Sequence, residues 1–294
     1  MHRAEPFENI IDGPALLRLR SCKVLGAVAM SLRICHPHEA GNFVGRALLL
    51  ALLLALSTAA IAQDSTPLDD LPKAPVKRTG PPALVEYKGR RIAQTMHYLG
   101  AEWLTRDNRE QEERCSLMLT SLGIKQGMTI CDMGCGNGFY TLKLAKMVGP
   151  EGHLYAVDIQ PEMLKFLNER ADAAEISNLS PILGTFTDPR LPKGKLDLVL
   201  MVDVYHEFSH PEQMLAAIRN SLSEKGLAVL VEFRSEDPKV PIKAEHKMSK
   251  EQILKELPAN GFKLVKEFDG LPWQHMMFFG RDNSWKAPTA PAAE

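Results

Sequence analysis

The run from Thr129 to Tyr140, Thr-Ile-Cys-Asp-Met-Gly-Cys-Gly-Asn-Gly-Phe-Tyr, constrains the fold more than any other stretch of this chain. A short apolar strand ends at Asp132. Glycines then stand at alternate positions, Gly134, Gly136 and Gly138, and a helix-like run follows from Phe139 to Val148. With no Cβ at these positions, the backbone turns sharply and lets a ligand approach closely. The helix start behind the turn presents free N–H groups and the positive end of a dipole. Strand, glycine turn and helix make a nucleotide-type cradle.

The chain after it alternates in the same way. Strand-like runs at Thr129–Asp132, His153–Asp158, Pro181–Gly184, Leu196–Asp203 and Leu227–Phe233 are separated by helical runs at Phe139–Val148, Pro161–Ala174 and Pro211–Leu222. Pro161 suits a first helical turn. Ser209-His-Pro-Glu212 has the spacing of a capping box, and Ser249-Lys-Glu-Gln252 opens another capped helix. Two closing apolar runs, Phe262–Phe268 and Trp273–Gly280, are joined so briefly that they pair antiparallel. This alternation predicts an α/β fold with a mostly parallel sheet covered by helices on both faces. Before the cradle, Arg90 to Leu122 reads as a helical segment placed to lie over it.

Residues 1–62 read as a targeting region. Arg46 precedes a leucine-rich core from Ala47 to Leu56, too short to span a bilayer comfortably, and Ala60-Ile61-Ala62 fits signal-peptidase cleavage before Gln63. The expectation is export to the periplasm or beyond, with an uncleaved anchor as the alternative and Met30 as a start of more usual length. Residues 63–89 read as a proline-rich linker, 90–281 as the folded domain and 282–294 as a disordered tail. Net charge is −1, from 35 basic and 36 acidic residues, which calls for no nucleic-acid partner. Of five cysteines, Cys115, Cys131 and Cys135 fall in the folded part; an odd number without zinc-type spacing makes them buried small residues.

Ligands of such sheets bind beyond the C-terminal strand ends. The first strand delivers Asp132 and the glycine turn. The second delivers Asp158, with Ile159 beside it, placed to accept ribose hydroxyls. Asp188 follows the third strand, Asp203-Val-Tyr205-His206-Glu207 the fourth, and the fifth ends in Glu232. A nicotinamide or flavin fingerprint needs a glycine where Phe139 stands, which disfavours an NAD-linked oxidoreductase.

Taken together, these residues resemble the class I S-adenosylmethionine-dependent methyltransferases over about residues 90 to 281, and within them an exported subgroup with a DVYHE fourth-strand end and a later His246-Lys247-Met248. The resemblance implies a Rossmann-like, doubly wound seven-stranded sheet whose last strand is antiparallel. It also implies S-adenosylmethionine as cofactor: Asp132, Gly134, Gly136 and Gly138 around the methionine portion, Asp158 on the ribose, Asp188 near the adenine amino group and Asp203 near the amino-acid end. His206 and Glu207 are then the candidate catalytic residues, placed to act as base or to position the acceptor. Alternation along an extended segment would point them in opposite directions, so that one at most faces the cofactor. Tyr205 would shape the acceptor pocket and His246 would close the site. Asp203, His206, Glu207 and Glu232 have the donor chemistry of the metal sites in catechol-type relatives, but no metal is assigned. The acceptor is expected to be a small molecule. The alternative from another class is a cofactor-binding module of the same fold without catalysis.

Overall fold

The computed structural model describes residues 81–287. Two short strands, β1 (Glu86–Tyr87) and β2 (Arg90–Arg91), pair antiparallel. A 3-10 segment at Tyr98–Thr105 and the helices α1 (Arg109–Glu113) and α2 (Cys115–Ser121) follow. Then come β3 (Thr129–Met133), α3 (Thr141–Val148), β4 (His153–Asp158), α4 (Pro161–Ala173), β5 (Leu179–Leu183) and β6 (Leu196–Val202). The chain closes with α5 (Pro211–Ser221), β7 (Leu222–Phe233), α6 (Lys250–Ala259), β8 (Phe262–Phe268) and β9 (Gln274–Arg281).

Strands β3 to β9 form one seven-stranded sheet in the order β5-β4-β3-β6-β7-β9-β8. All neighbours are parallel except those of β9, which runs against both β7 and β8. The expected sheet is therefore present, with the last strand in the chain as its reversed member. The order reverses between β3 and β6, where a crevice opens at the strand ends. Every residue of β6 except Asp197 and Val202 is fully or almost fully buried, as a strand covered on both faces requires. Met214, Leu215 and Ile218 of α5 and Ile253 and Leu257 of α6 pack in one apolar layer. Met118 of α2 and Leu144 and Val148 of α3 pack in the other. Each such side chain contributes about 1.5–3 kcal/mol on burial.

The structure differs from the sequence reading at the domain's ends. Residues 90–122 do not make one helical run: positive φ at Lys88 (48°) and Gly89 (93°) turns the chain into the β1–β2 hairpin, and Arg114 (51°) separates α1 from α2. Tyr87, assigned to the linker, is buried, and His210 Nε2 bonds the Pro81 carbonyl at 2.9 Å. At the other end Trp285 donates to the Ala259 carbonyl at 3.2 Å, so the folded part passes residue 281. Strand β7 starts at Leu222 and not at Leu227.

The Ser209 capping box does not form. His210 is the N-cap of α5, and the Ser209 hydroxyl bonds its ring at 3.0 Å. Ser249 does cap α6, accepting the Gln252 N–H at 3.0 Å. Cys115, Cys131 and Cys135 are free and buried. Among the described residues no helix is long and apolar enough to cross a membrane. The targeting region, most of the linker and the last seven residues of the tail lie outside the described residues.

Candidate functional site

The glycine turn after β3 is held against β4. Asp158 accepts the Gly136 N–H on Oδ2 and the Gln160 N–H on Oδ1, both at 2.9 Å. Gly134 has φ +70°, and a Cβ there would stand 2.4 Å from Val204 Cγ2; one on Gly136, at φ +53°, would stand 2.6 Å from Leu104 Cδ1. Both glycines therefore let the turn lie under other elements at the cavity wall. A Cβ on Gly138 would meet Leu167 Cδ1 of α4 at 2.4 Å, so this glycine serves helix packing. Asp132 is buried behind the turn and accepts the Thr141 hydroxyl at 2.6 Å, tying β3 to the start of α3. Burial pushes its carboxyl up to about 6.

The end of β6 carries the second half of the site. Asp203 adopts a left-handed φ of +52°, which an aspartate tolerates better than most residues. A 3-10 turn follows at Tyr205–Glu207. Three residues per turn space successive side chains about 120° apart. Tyr205 consequently points into the core, where its hydroxyl donates to Glu256 at 2.6 Å, while His206 and Glu207 both border the cavity. This corrects two expectations. His206 and Glu207 do not diverge, because the chain has stopped being extended, and Tyr205 is fully buried and shapes no pocket.

Glu232, at the end of β7, accepts from His206 Nδ1 at 2.6 Å. The other ring nitrogen, Nε2, lies 3.1 Å from Nδ1 of His246. Burial lowers the affinity of the His206 ring for a second proton, but the charge and hydrogen bond of Glu232 outweigh it and leave the pKa above the usual value. Burial, reinforced by the neighbouring His206, lowers that of His246. Glu207 accepts the Met96 N–H at 3.2 Å, and burial raises its carboxyl to about 7.

The segment ahead of α1 covers the opening. Thr95, Met96, Trp103 and Leu104 line the cavity, and Arg109 reaches it from α1. Gln160 ties this cover to α4 by accepting the Tyr98 N–H and donating to the Met96 carbonyl, both at 2.9 Å. The partly covered cavity measures about 520 Å³, within the range of small-ligand sites.

Of the residues singled out in the sequence, Gly134, Gly136, Asp158, Ile159, Asp203, His206, Glu207 and His246 line this one cavity. Asp132, Gly138 and Asp188 lie off its wall. Asp188 is exposed and caps the Arg190 N–H at 2.7 Å, while its loop sends Thr185 and Phe186 to the cavity instead. Sequence reasoning missed Gln160, Phe186 and Arg109, whereas the segment around Met96 does lie over the cradle as expected. Gln160 alone left a signal, standing two residues beyond Asp158 and just before the helix-starting Pro161.

S-adenosylmethionine is a sulfonium with a charged amino-acid end and a ribose. The site offers matching chemistry: a carboxylate beside a glycine turn, apolar walls and a buried acceptor with no partner, Asp203 Oδ1. The other Asp203 oxygen accepts from Gln274 Nε2 at 2.7 Å. An orphaned buried acceptor at a cavity wall is what a ligand's N–H donor satisfies. The residues present fit the group.

Residues 124–276, just over half of the chain, match the family model described as a methyltransferase domain. A protein-L-isoaspartate O-methyltransferase from Methanothrix thermoacetophila is 33% identical over 72 residues, 24% of this chain and 34% of that protein. A fibrillarin-like rRNA/tRNA 2'-O-methyltransferase from Staphylothermus marinus is 33% identical over 119 residues, 39% of this chain and 49% of that protein. The chain thus spans about a third to a half of the length of these curated relatives. A SAM-dependent methyltransferase from Aquifex aeolicus superposes with a TM-score of 0.60 at 23% identity, covering 63% of this chain and 98% of that one, a likeness of fold. With its sheet order, its glycine cradle and the family match over most of the described residues, the chain belongs to the methyltransferase-domain family.

Proposed function

We propose that the enzyme methylates a small, largely apolar acceptor through one oxygen or nitrogen, which it presents beside His206, Glu207 and His246. One observation carries this reading: one partly covered cavity joins the glycine cradle to that polar trio, and its lining is mainly apolar, with side chains such as Met133, Met163, Val204 and Phe233. The curated relatives do not point to one acceptor, since by name one acts on isoaspartate in protein and another on rRNA and tRNA. A cavity of about 520 Å³ under a cover tied down by Gln160 favours a small-molecule acceptor.

In this reading Asp158 holds the ribose, since each oxygen keeps a lone pair beyond its backbone bond. Gly134 and Gly136 let the backbone approach the methionine portion. Asp203 Oδ1 accepts from the amino group. Ile159 and Phe186 take the faces of the adenine. Bound S-adenosylmethionine supplies an electrophilic methyl on a sulfonium sulfur. The chain's own part is to align the acceptor with that methyl, a positioning effect that accounts for much of the rate in displacements of this kind. His206, fixed by Glu232, orients the acceptor's hydrogen-bonding group, and the cover excludes water.

The proposal keeps residues 1–62 as an export signal, supported by the apolar core and the Ala60-Ile61-Ala62 cleavage pattern. N-terminal sequencing of the mature protein tests that part. The acceptor is tested with the full chain, S-adenosylmethionine and a panel of phenols, quinols, carboxylic acids and amines, reading release of S-adenosylhomocysteine. Turnover with an apolar small molecule is expected, together with at least a tenfold fall in kcat for His206→Gln. Turnover on protein or RNA alone would overturn the assignment.

A further inference from the structure

We infer that His206, Glu207 and His246 form a binding site for one divalent transition-metal ion of the zinc type at the acceptor end of the cavity. The donor atoms of the three side chains all lie within 4.8 Å of one another. They come from two separate parts of the chain, the turn after β6 and the 3-10 segment Ala244–His246 between β7 and α6. Their convergence therefore reflects tertiary structure and not sequence proximity.

The nitrogen spacing suits an ion. Two imidazole nitrogens, each about 2.0–2.1 Å from a tetrahedral or octahedral centre, stand about 2.9–3.4 Å apart. His206 Nε2 and His246 Nδ1 stand 3.1 Å apart. Without an ion the same pair makes a hydrogen bond, with one ring donating to the other.

The groups behind the ligands add a second, independent argument. Glu232 is fully buried and accepts from His206 Nδ1 at 2.6 Å. A carboxylate on the far nitrogen fixes the tautomer, leaves the lone pair of Nε2 facing the cavity and makes it a better donor; histidines that ligate metals nearly always carry such a partner. Glu207 adds a carboxyl oxygen next to two imidazoles, giving two nitrogens and one oxygen. Three protein ligands with one position open towards a cavity is the arrangement of zinc sites that bind substrate or water, whereas structural sites are closed by four. In this protein the open position faces the space assigned to the acceptor, so the preferred acceptor would bear a hydroxyl or phenol whose oxygen enters the coordination sphere and is made more acidic there. Only this last step rests on the methyltransferase reading above.

The test uses untagged full chain freed of metal with a chelator and titrated with Co²⁺, whose visible absorption reports nitrogen and oxygen ligation, followed by displacement with Zn²⁺. One equivalent per chain is expected, with Zn²⁺ displacing Co²⁺. His246→Ala and Glu207→Gln should each weaken Co²⁺ binding at least tenfold, and Glu232→Gln should weaken it less, with far-UV circular dichroism and the metal-free unfolding midpoint near wild type as the control for folding. No saturable one-to-one binding by the wild type, or equal binding by folded His246→Ala, overturns the site. Co²⁺ binding by a wild type that S-adenosylmethionine does not stabilise would leave the metal site standing and sink the methyltransferase reading instead.

Discussion

Gln160 clasps Met96 across the rim of the cavity, its amide donating to the Met96 carbonyl at 2.9 Å while its own carbonyl accepts the Tyr98 N–H. Gln160 begins two residues past Asp158, so the cover over the site is fastened to the strand end assigned to the ribose. Two hydrogen bonds of ordinary net strength contribute about 1–3 kcal/mol together. Gln160→Ala should weaken S-adenosylmethionine binding roughly five- to 150-fold by calorimetry, because the untied cover must then be ordered on binding. Unchanged affinity would show that the cover does not sense the cofactor.

The glycines of the turn separate by role. Gly134→Ala places a Cβ 2.4 Å from Val204 Cγ2 on a backbone at φ +70°, at the cavity wall. It should abolish measurable S-adenosylmethionine binding and cost about 1–3 kcal/mol of stability. Gly138→Ala strikes Leu167 of α4 instead. It should lower the unfolding midpoint comparably while changing the cofactor affinity of the folded protein less than threefold. Equal losses of affinity in the two variants would contradict this division.

Asp132 makes stability depend on pH. Its carboxyl is raised from 3.8 to about 6 by burial, so between those values the folded protein keeps a proton that the unfolded chain has released. The stability it contributes is fully present below the lower value and lost as pH rises through the upper one. Asp132→Asn has no proton to lose. Its stability relative to wild type should therefore rise by up to about 3 kcal/mol from pH 4 to pH 7 and level off above. Urea titrations of both proteins across that range are the measurement; a difference that stays constant with pH rules the account out.

The N-terminal hairpin is tied to the turn that carries His206 and Glu207. Arg90 pairs with the buried Glu256 at 2.7 Å and donates to the His206 carbonyl at 3.0 Å. Removing one partner of a buried ion pair costs about 3–5 kcal/mol. Arg90→Met should lower the unfolding midpoint on the order of 10 °C for a folded part of this size. A calorimetric shift below about 2 °C would mean that the hairpin is only laid on the surface.

The sheet, its reversed last strand and the cradle were legible because they rest on local signals. Apolar runs of strand length alternate with helical ones, and the glycines announce the turn. The ends of the domain were less legible, because Tyr87 and Trp285 are held by partners more than twenty residues away in the chain. The side chains of the fourth strand end were read with the wrong period: alternation describes β6 up to Val202, but the positive φ at Asp203 and the 3-10 turn after it depend on packing that the sequence does not display. Asp188 was assigned through the family resemblance, and its loop turns the carboxylate to the Arg190 N–H and Phe186 to the cavity. His246 was singled out, but its approach to His206 over 40 residues of chain is a product of the fold alone.

The most direct test of the account is equilibrium binding of S-adenosylmethionine to the full chain, measured by calorimetry for wild type and Asp158→Ala. The account predicts one site per chain with a dissociation constant on the order of micromolar, weakened at least a hundredfold in the variant, since a buried carboxylate that accepts ligand hydroxyls is removed. Absence of saturable binding by the folded wild type, or equal affinity in Asp158→Ala, would contradict it.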